Sequence, residues 1–291
     1  MSRRKNNWVG LAYVAPALTF VAVFVLWPLG HLIWLSFTSK SLLGGGEFVG
    51  LGNYQRVFAD KHFWQAMVFT LTYTAYLTPI LLVLNLSLAL LTSKNTKLRR
   101  ITRTVIFLPV VIGLASSSLL WYWLFDEQVG LFNKLLVDLG ILDHPLVWFK
   151  KANTGQLAVI ISVVWKVVGF GMILMMAGIQ AISNDVIEAS KIDGASSFMR
   201  VRRIIIPLAA RSIILATLIS AIGSMLAFDQ FYLMTGGGPR GQTFTTVYWI
   251  YQSSFIRFEL GYGSAQAVIL MLIITSGTAL QLYMTRKGTK S

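Results

Sequence analysis

"EASKIDGASSFMRVRRIIIP", residues 188–207, is a charged, glycine-broken stretch in a chain that is otherwise largely apolar. Asp185, with Glu188 three residues on, reads as a helix start in which a capping side chain and a reciprocal carboxylate satisfy the first free N–H groups. That helix is expected to stop at Gly194, because glycine adopts the left-handed backbone of a C-terminal cap without steric penalty. Ser196 or Ser197 is placed to cap a second short helix, "FMRVRRIII", that ends at Pro207. Ala189, Ile192, Ala195 and Phe198 or Met199 recur at helical spacing and form a small apolar face. Two short capped helices make a stiff projection suited to docking. A solvated loop that only carries charge is the plainer reading of the same residues.

The rest of the chain sets the context. Of 291 residues, 55% are hydrophobic and 12% charged, roughly half the charge of an ordinary soluble globule. A core of this size cannot absorb so much apolar surface, so part of it faces lipid. The net charge of +14 would suit nucleic acid if the cations gathered on one face. They stand instead in short clusters between apolar runs, the pattern of a membrane protein. Membrane lipid is therefore an expected partner and nucleic acid is not. With no cysteine in the sequence, disulfides and cysteine-held metals are excluded.

A helix needs about 20 largely apolar residues to cross a bilayer. Six stretches qualify: 8–37, 64–92, 104–125, 157–180, 208–234 and 264–284. The first exceeds the roughly 7–15 apolar residues of a signal peptide and has no A-x-A-like site after it, so a retained span is expected. A further stretch, "FTTVYWIYQSSFI" (244–256), is too short to span and reads as an interfacial or re-entrant helix. Lys and Arg number 16 on the side that would hold both termini and the opening stretch, against eight on the other. By the positive-inside rule both termini are expected to be cytoplasmic. Glycine runs "GGGEFVGLGN" (44–53) and "TGGGPRGQT" (235–243) mark tight turns in the outer loops.

The pattern E-A-[AS]-x-x-D-G-A followed by I-x-[LI]-P is present as Glu188, Ala189, Ser190, Asp193, Gly194, Ala195, Ile204 and Pro207. It resembles the EAA signature of the membrane subunits of binding-protein-dependent ABC importers. "YVAPALTFVAVFVLWPLG" (13–30), "FVGLGNYQRVF" (48–58), "IFLPVVIG" (106–113), "VVWKVVGFGMILMMAGIQAIS" (163–183) and "FDQFYLMTGGGP" (228–239) are similar to the sugar-importing branch. Within it they look like the larger maltose-permease-type and glycerol-3-phosphate-permease-type subunits.

The resemblance implies an all-α integral membrane protein of six transmembrane helices with the type I ABC importer permease fold, in the bacterial cytoplasmic (inner) membrane. It implies a second homologous permease, two cytoplasmic ATPase subunits and an extracytoplasmic solute-binding protein delivering a sugar or sugar derivative. On this reading residues 1–63 hold the first helix and first outer loop. Residues 64–286 form the permease domain, with the coupling helix within 184–207, and 287–291 form a cytoplasmic tail. Asp185, Glu188, Ala189, Ser190, Asp193, Gly194, Ala195 and Pro207 are then the ATPase-coupling residues. Asn53, Tyr54, Gly236, Gly237, Gly238 and Pro239 are expected to help dock the binding protein. The sequence has no G-x-x-x-x-G-K-[ST] phosphate loop, so ATP and Mg are expected on the partner ATPase, with no cofactor in this chain.

Alignment with the maltose-type subunit places the substrate path near Val163, Lys166, Val167, Phe170, Ser224 and Ala227, with Asp229 and Gln230 toward the outer end. Intramembrane ionisable residues mark functional sites by default. Lys166 is thus either a donor to the cargo or a lysine held by Asp229 or by the partner permease. Phe170 offers a flat apolar face to a sugar ring or packs against neighbouring helices. Asn85 and Gln180 read as interhelical hydrogen-bond partners. Trp121, Tyr122 and Trp123 read as an aromatic belt. No carboxylate pair, Ser-His-Asp set or metal cluster stands out, so an enzyme is not expected. An ion-gradient-driven secondary transporter is the alternative, with Lys166 and Asp229 as its one plausible coupling pair.

Overall fold

The computed structural model describes residues 5–288, and side chains from residue 11 to 283. The basic residues Arg3, Arg4 and Lys290 and the end of the expected 287–291 tail lie outside the described residues. The described chain is helical, and its strand-like feature is an isolated bridge between Thr38 and Phe48. In order the helices are α1 (Lys5–Val21), α2 (Trp27–Ser36), α3 (Gly52–Ala59), α4 (Lys61–Thr92), α5 (Lys97–Val111), α6 (Leu114–Leu124) and α7 (Leu131–Asp138). They continue as α8 (Ala152–Gln180), α9 (Asn184–Ile192), α10 (Ser197–Arg200), α11 (Ile206–Leu208), α12 (Ala210–Met225), α13 (Thr246–Tyr251) and α14 (Leu260–Gly288).

Among the described residues, four helical rods are long and apolar enough to cross a membrane unbroken: Leu11–Ser36, Lys61–Thr92, Ala152–Gln180 and Leu260–Tyr283. The other two expected spans are broken. α5 and α6 meet at 99°, and the segment Ser197–Leu208 meets α12 at 75°. The stretch read as 208–234 is helical only to Met225, and a wider turn follows over Phe231–Thr235. The short stretch 244–256 is a helix that continues into a wider turn over Gln252–Ile256.

Two compact units are formed. One is drawn from residues up to Phe63 and from Trp249–Ile273, the other from Trp64–Tyr248 and from Ile274 onward. In the first, polar side chains fasten the loop after α2. Asn53 is buried, and its Nδ2 donates to the carbonyls of Ser36 (3.0 Å) and Thr38 (2.7 Å). Arg56 pairs with Glu259 at 3.1 Å and lies 4.3 Å over the Tyr262 ring. Asp60 accepts from the Tyr262 hydroxyl (2.7 Å) and the Trp249 indole (3.2 Å). Partial burial pushes the Asp60 carboxyl up. Donors from Tyr262, Trp249 and the His62 and Phe63 amides outweigh that and hold it below its ordinary value.

In the second unit α8 is the axis, and its glycines decide which helices approach it. A Cβ on Gly169 would strike the Ile106 carbonyl and lie 2.7 Å from Phe107 Cα, so α5 packs backbone to backbone here. Gly171 makes room for the Asn85 amide of α4, and Gly178 for Ser212 of α12. Small residues serve membrane helices in this way, because close packing replaces the hydrophobic drive that lipid removes. Met172, Met175 and Met176 fill the space between, against Ala89 and Ala216. At the end of α4, Arg103 donates to the carbonyls of Thr92 (2.8 Å) and Lys94 (2.9 Å), and Gln180 to that of Ser93 (2.9 Å). These donors satisfy carbonyls that the end of a helix leaves free.

The aromatic belt is corrected in part. Tyr122 and Trp123 are exposed, but Trp121 is buried against Phe125, Phe132 and Trp165. A tryptophan at a helix end suits either setting, and here the loop after α6 folds back to cover it. Asn133 pins that loop by donating to the carbonyls of Asp126 and Leu146 and accepting from the Trp148 indole.

Candidate functional site

Two regions of the second unit gather the residues singled out by sequence. The first is the stretch 184–208. Its opening cap is Ser183, whose hydroxyl accepts from the Asp185 N–H at 3.2 Å; Asp185 itself lies inside the first turn. Ser183 has the extended backbone a cap requires, whereas Asp185 is already helical, and there its carboxylate still favours the positive end of the helix. α9 ends as expected, with Gly194 at φ +76. Ser196 caps α10 through a bond from the Met199 N–H. The second helix does not stop at Pro207. It runs on through a wider turn over Val201–Ile205 to Leu208, with Pro207 in its last turn. The bend falls at Ala209 instead.

Asp185, Glu188, Ala189, Asp193, Gly194 and Pro207 are exposed, Ala195 is half-buried, and Ser190 is buried with its hydroxyl donating to the Ile187 carbonyl. The expected apolar face exists but covers nothing: Ile192 is 86% exposed and Phe198 74%.

The second region is a cavity of about 240 Å³ between α4, α5, α6, α8 and α12. Val163, Lys166, Val167, Phe170, Ser224, Ala227 and Gln230 all line it. Asp229 does not, and no ion pair joins it to Lys166. The carboxylate partner weighed for Lys166 is therefore replaced by backbone. Lys166 is 6% exposed, and its ammonium donates to the carbonyls of Pro109 (3.2 Å) and Val110 (2.9 Å) where α5 ends. Gln230 is 92% buried and lines the cavity with no hydrogen-bond partner for its amide. Ser224 donates to Thr74 (3.0 Å) and Ala221, tying α12 to α4. No carboxylate lines the cavity.

Tyr73 is the aromatic among several lining residues that sequence reasoning missed. Its signal was a phenol inside an apolar span, where a polar tip finds use only in a bundle interior. Of the expected docking residues, Asn53 faces inward and Tyr54 hydrogen bonds to Ser36 at 2.6 Å. Gly236 is exposed at φ +57, Gly237 packs under Phe244, and Gly238 and Pro239 are half-buried. Thr243 holds this turn through Thr235 (2.8 Å) and the Gly238 carbonyl (2.7 Å).

Comparison with known proteins gives these shapes a context. Residues 57–289 match the family described as "Binding-protein-dependent transport system inner membrane component". The chain is 32% identical over 283 residues to the sulfoquinovosyl glycerol transport system permease protein of Agrobacterium fabrum, covering 97% of this chain and 91% of that one. It is 32% identical over 279 residues to the trehalose/maltose transport system permease protein of Thermococcus litoralis, covering 96% and 94%. A chain from the crystal structure of a bacterial alginate ABC transporter, in complex with its alginate pentasaccharide-bound periplasmic protein, superposes with a TM-score of 0.85. It is 20% identical and covers 99% of this chain and 97% of that one, a likeness of fold.

Proposed function

Because the chain belongs to the family of binding-protein-dependent transport system inner membrane components, we propose that it is the permease subunit of an ATP-driven importer for a sugar or sugar derivative. The observation that carries this reading is the capped, exposed element at 184–208, whose apolar residues Ile192 and Phe198 have no cover within the chain. Exposed apolar surface rimmed by polar groups marks a docking site. Asp185, Glu188, Ala189, Ser190, Asp193, Gly194, Ala195 and Pro207 form or shape the surface that seats in an ATPase subunit. ATP and Mg belong to that subunit. A stiff element passes the closing motion of the ATPases to the bundle as rigid-body movement, and a limp loop would absorb it.

The complete assembly holds a second, homologous permease, two ATPases and an extracytoplasmic binding protein. Both termini lie on the ATPase side, as the Lys and Arg distribution favours. The turn 236–239, held by Thr235 and Thr243, faces the binding protein, and Asn53 and Tyr54 act by shaping the loop after α2. Cargo passes through the cavity, where Phe170 is 41% exposed and lends a flat apolar face, while Gln230 and Tyr73 supply hydrogen-bonding groups. The names of the relatives, which cover a sulfonated glycoside and neutral disaccharides, support a sugar-like substrate class.

The test is Gly194→Pro. Proline cannot adopt φ +76, so the corner between α9 and α10 is lost while the spans are untouched. The variant is expected to insert in the membrane at normal levels and to lose the stimulation of ATP hydrolysis by the cargo-loaded binding protein. Normal stimulation would refute the coupling role.

A further inference from the structure

The break between α5 and α6 needs a partner from outside its own helix. Ile112 and Gly113 are extended there, with ψ of 136 and 147, so the backbone ladder of α5 is not continued into α6. Pro109 O receives one bond from the Ile112 N–H at 3.2 Å, and Val110 O receives no backbone bond across the break. In lipid, where water does not reach, such groups are costly unless paired. Lys166 pairs both, and its positive charge suits the negative end of a helix. It reaches them because Gly169, one turn further along α8, lets the two backbones touch. Val110 and Leu114, on either side of the break, and Lys166 itself all line the cavity.

We propose that Lys166 is a positioning residue. It locks the 99° bend and so fixes the cavity wall in one geometry, rather than selecting cargo by its charge. The proposal rests on the permease reading only for the statement that the cavity is a transport path; the lock itself is a property of the fold. Two of the three ammonium protons are used on Pro109 and Val110. The third has no acceptor among the described residues, and Lys166 lines the cavity.

The experiment measures the break. The chain has no cysteine, so spin labels at Ile101→Cys and Leu119→Cys, both exposed positions on α5 and α6, report their separation in the full-length chain, co-expressed with its transport partners, in lipid nanodiscs. The parent is expected to give one narrow distance distribution. Lys166→Met, which keeps the length and loses the donors, is expected to broaden it at least twofold, and Lys166→Arg to restore it. If Lys166→Met fails to assemble while Lys166→Arg assembles with a narrow distribution, the need for a cationic donor is established by that rescue. A narrow distribution in Lys166→Met overturns the lock. Loss of both variants overturns it as well, because the site then requires the lysine's shape and not its protons. As a second readout, stimulation of ATP hydrolysis by the loaded binding protein is expected to fall about tenfold in Lys166→Met. Unchanged stimulation with a broadened distribution would overturn the link to transport. The distance measurement needs neither cargo nor nucleotide, so it reads the lock separately from the permease reading, which fails on its own if the parent chain does not co-purify with an ATPase.

Discussion

The two broken spans solve one problem in opposite ways. At the bend between α11 and α12, Ala209 tightens the turn, at φ −87 and ψ 3, and bonds through its own backbone to the helical segments on both sides. Ala209 donates to Ile205 at 2.9 Å and accepts from Ser212 (3.0 Å) and Ile213 (3.1 Å). At the bend between α5 and α6 the chain is extended, the ladder stops, and Lys166 closes the gap from another helix. A self-bonded elbow keeps its angle when its neighbours move. A bend closed by a side chain holds only while that side chain stays. The first property suits the segment that follows the proposed docking element; the second suits the wall of the proposed transport path.

The sharpest way to break this contrast is Gly169→Val. A side chain there meets Phe107 Cα and the Ile106 carbonyl, which are backbone and cannot swing away. Driving α5 from α8 also withdraws Lys166 from its acceptors, so a loss of about 3 kcal/mol or more is expected. The check is the yield of monodisperse protein in detergent. Gly277→Ala, with nothing within 4 Å, is the silent control.

Next in size is Ala209→Gly, which softens the self-bonded elbow without removing a bond and costs about 0.5–1 kcal/mol. The thermal midpoint is expected to drop slightly while stimulated ATP hydrolysis falls severalfold, since the elbow transmits motion. Equal loss of basal and stimulated rates would count against that role.

Arg103→Ala is the smallest and tests whether burial sets the worth of a cationic cap. Arg103 serves the end of α4 much as Lys166 serves α5, but it is only half-buried and shares the task with Gln180. Water can replace it, so less than about 1 kcal/mol is expected, read as a shift of about 2 °C in thermal midpoint. A drop in thermal midpoint several times larger would mean that water does not replace this cap and that partial burial does not make it dispensable.

The pattern of residues carried the spans and the capped helices of 184–208 far, because a 20-residue apolar run and a Ser/Gly-capped helix each have a local physical signature. It failed where the deciding partner has no signature. Ile112 and Gly113 sit in an unbroken apolar run, and nothing in "LPVVIG" distinguishes a kink from a right-angled break. Lys166 invited a search for a carboxylate, and Asp229 was the one in reach of the argument. Its true acceptors are backbone carbonyls, which every residue has. The cap of α9 slipped by two residues because Ser183 and Asp185 are both good capping types, and only the backbone distinguishes them. Trp121 was misplaced because its burial depends on a loop pinned by Asn133, which lies outside the helix.

The clamp on α5 also bears on how the chain is made. The carbonyl of Val110 and the ammonium that closes it are 56 residues apart, a gap that takes a ribosome roughly 3–11 s to cross. Until that stretch has emerged, the newly inserted segment carries open backbone acceptors at membrane depth. Residues 97–180 therefore have reason to leave the insertion machinery together, as one delayed parcel, while the apolar rod Leu11–Ser36 can enter the bilayer alone and at once.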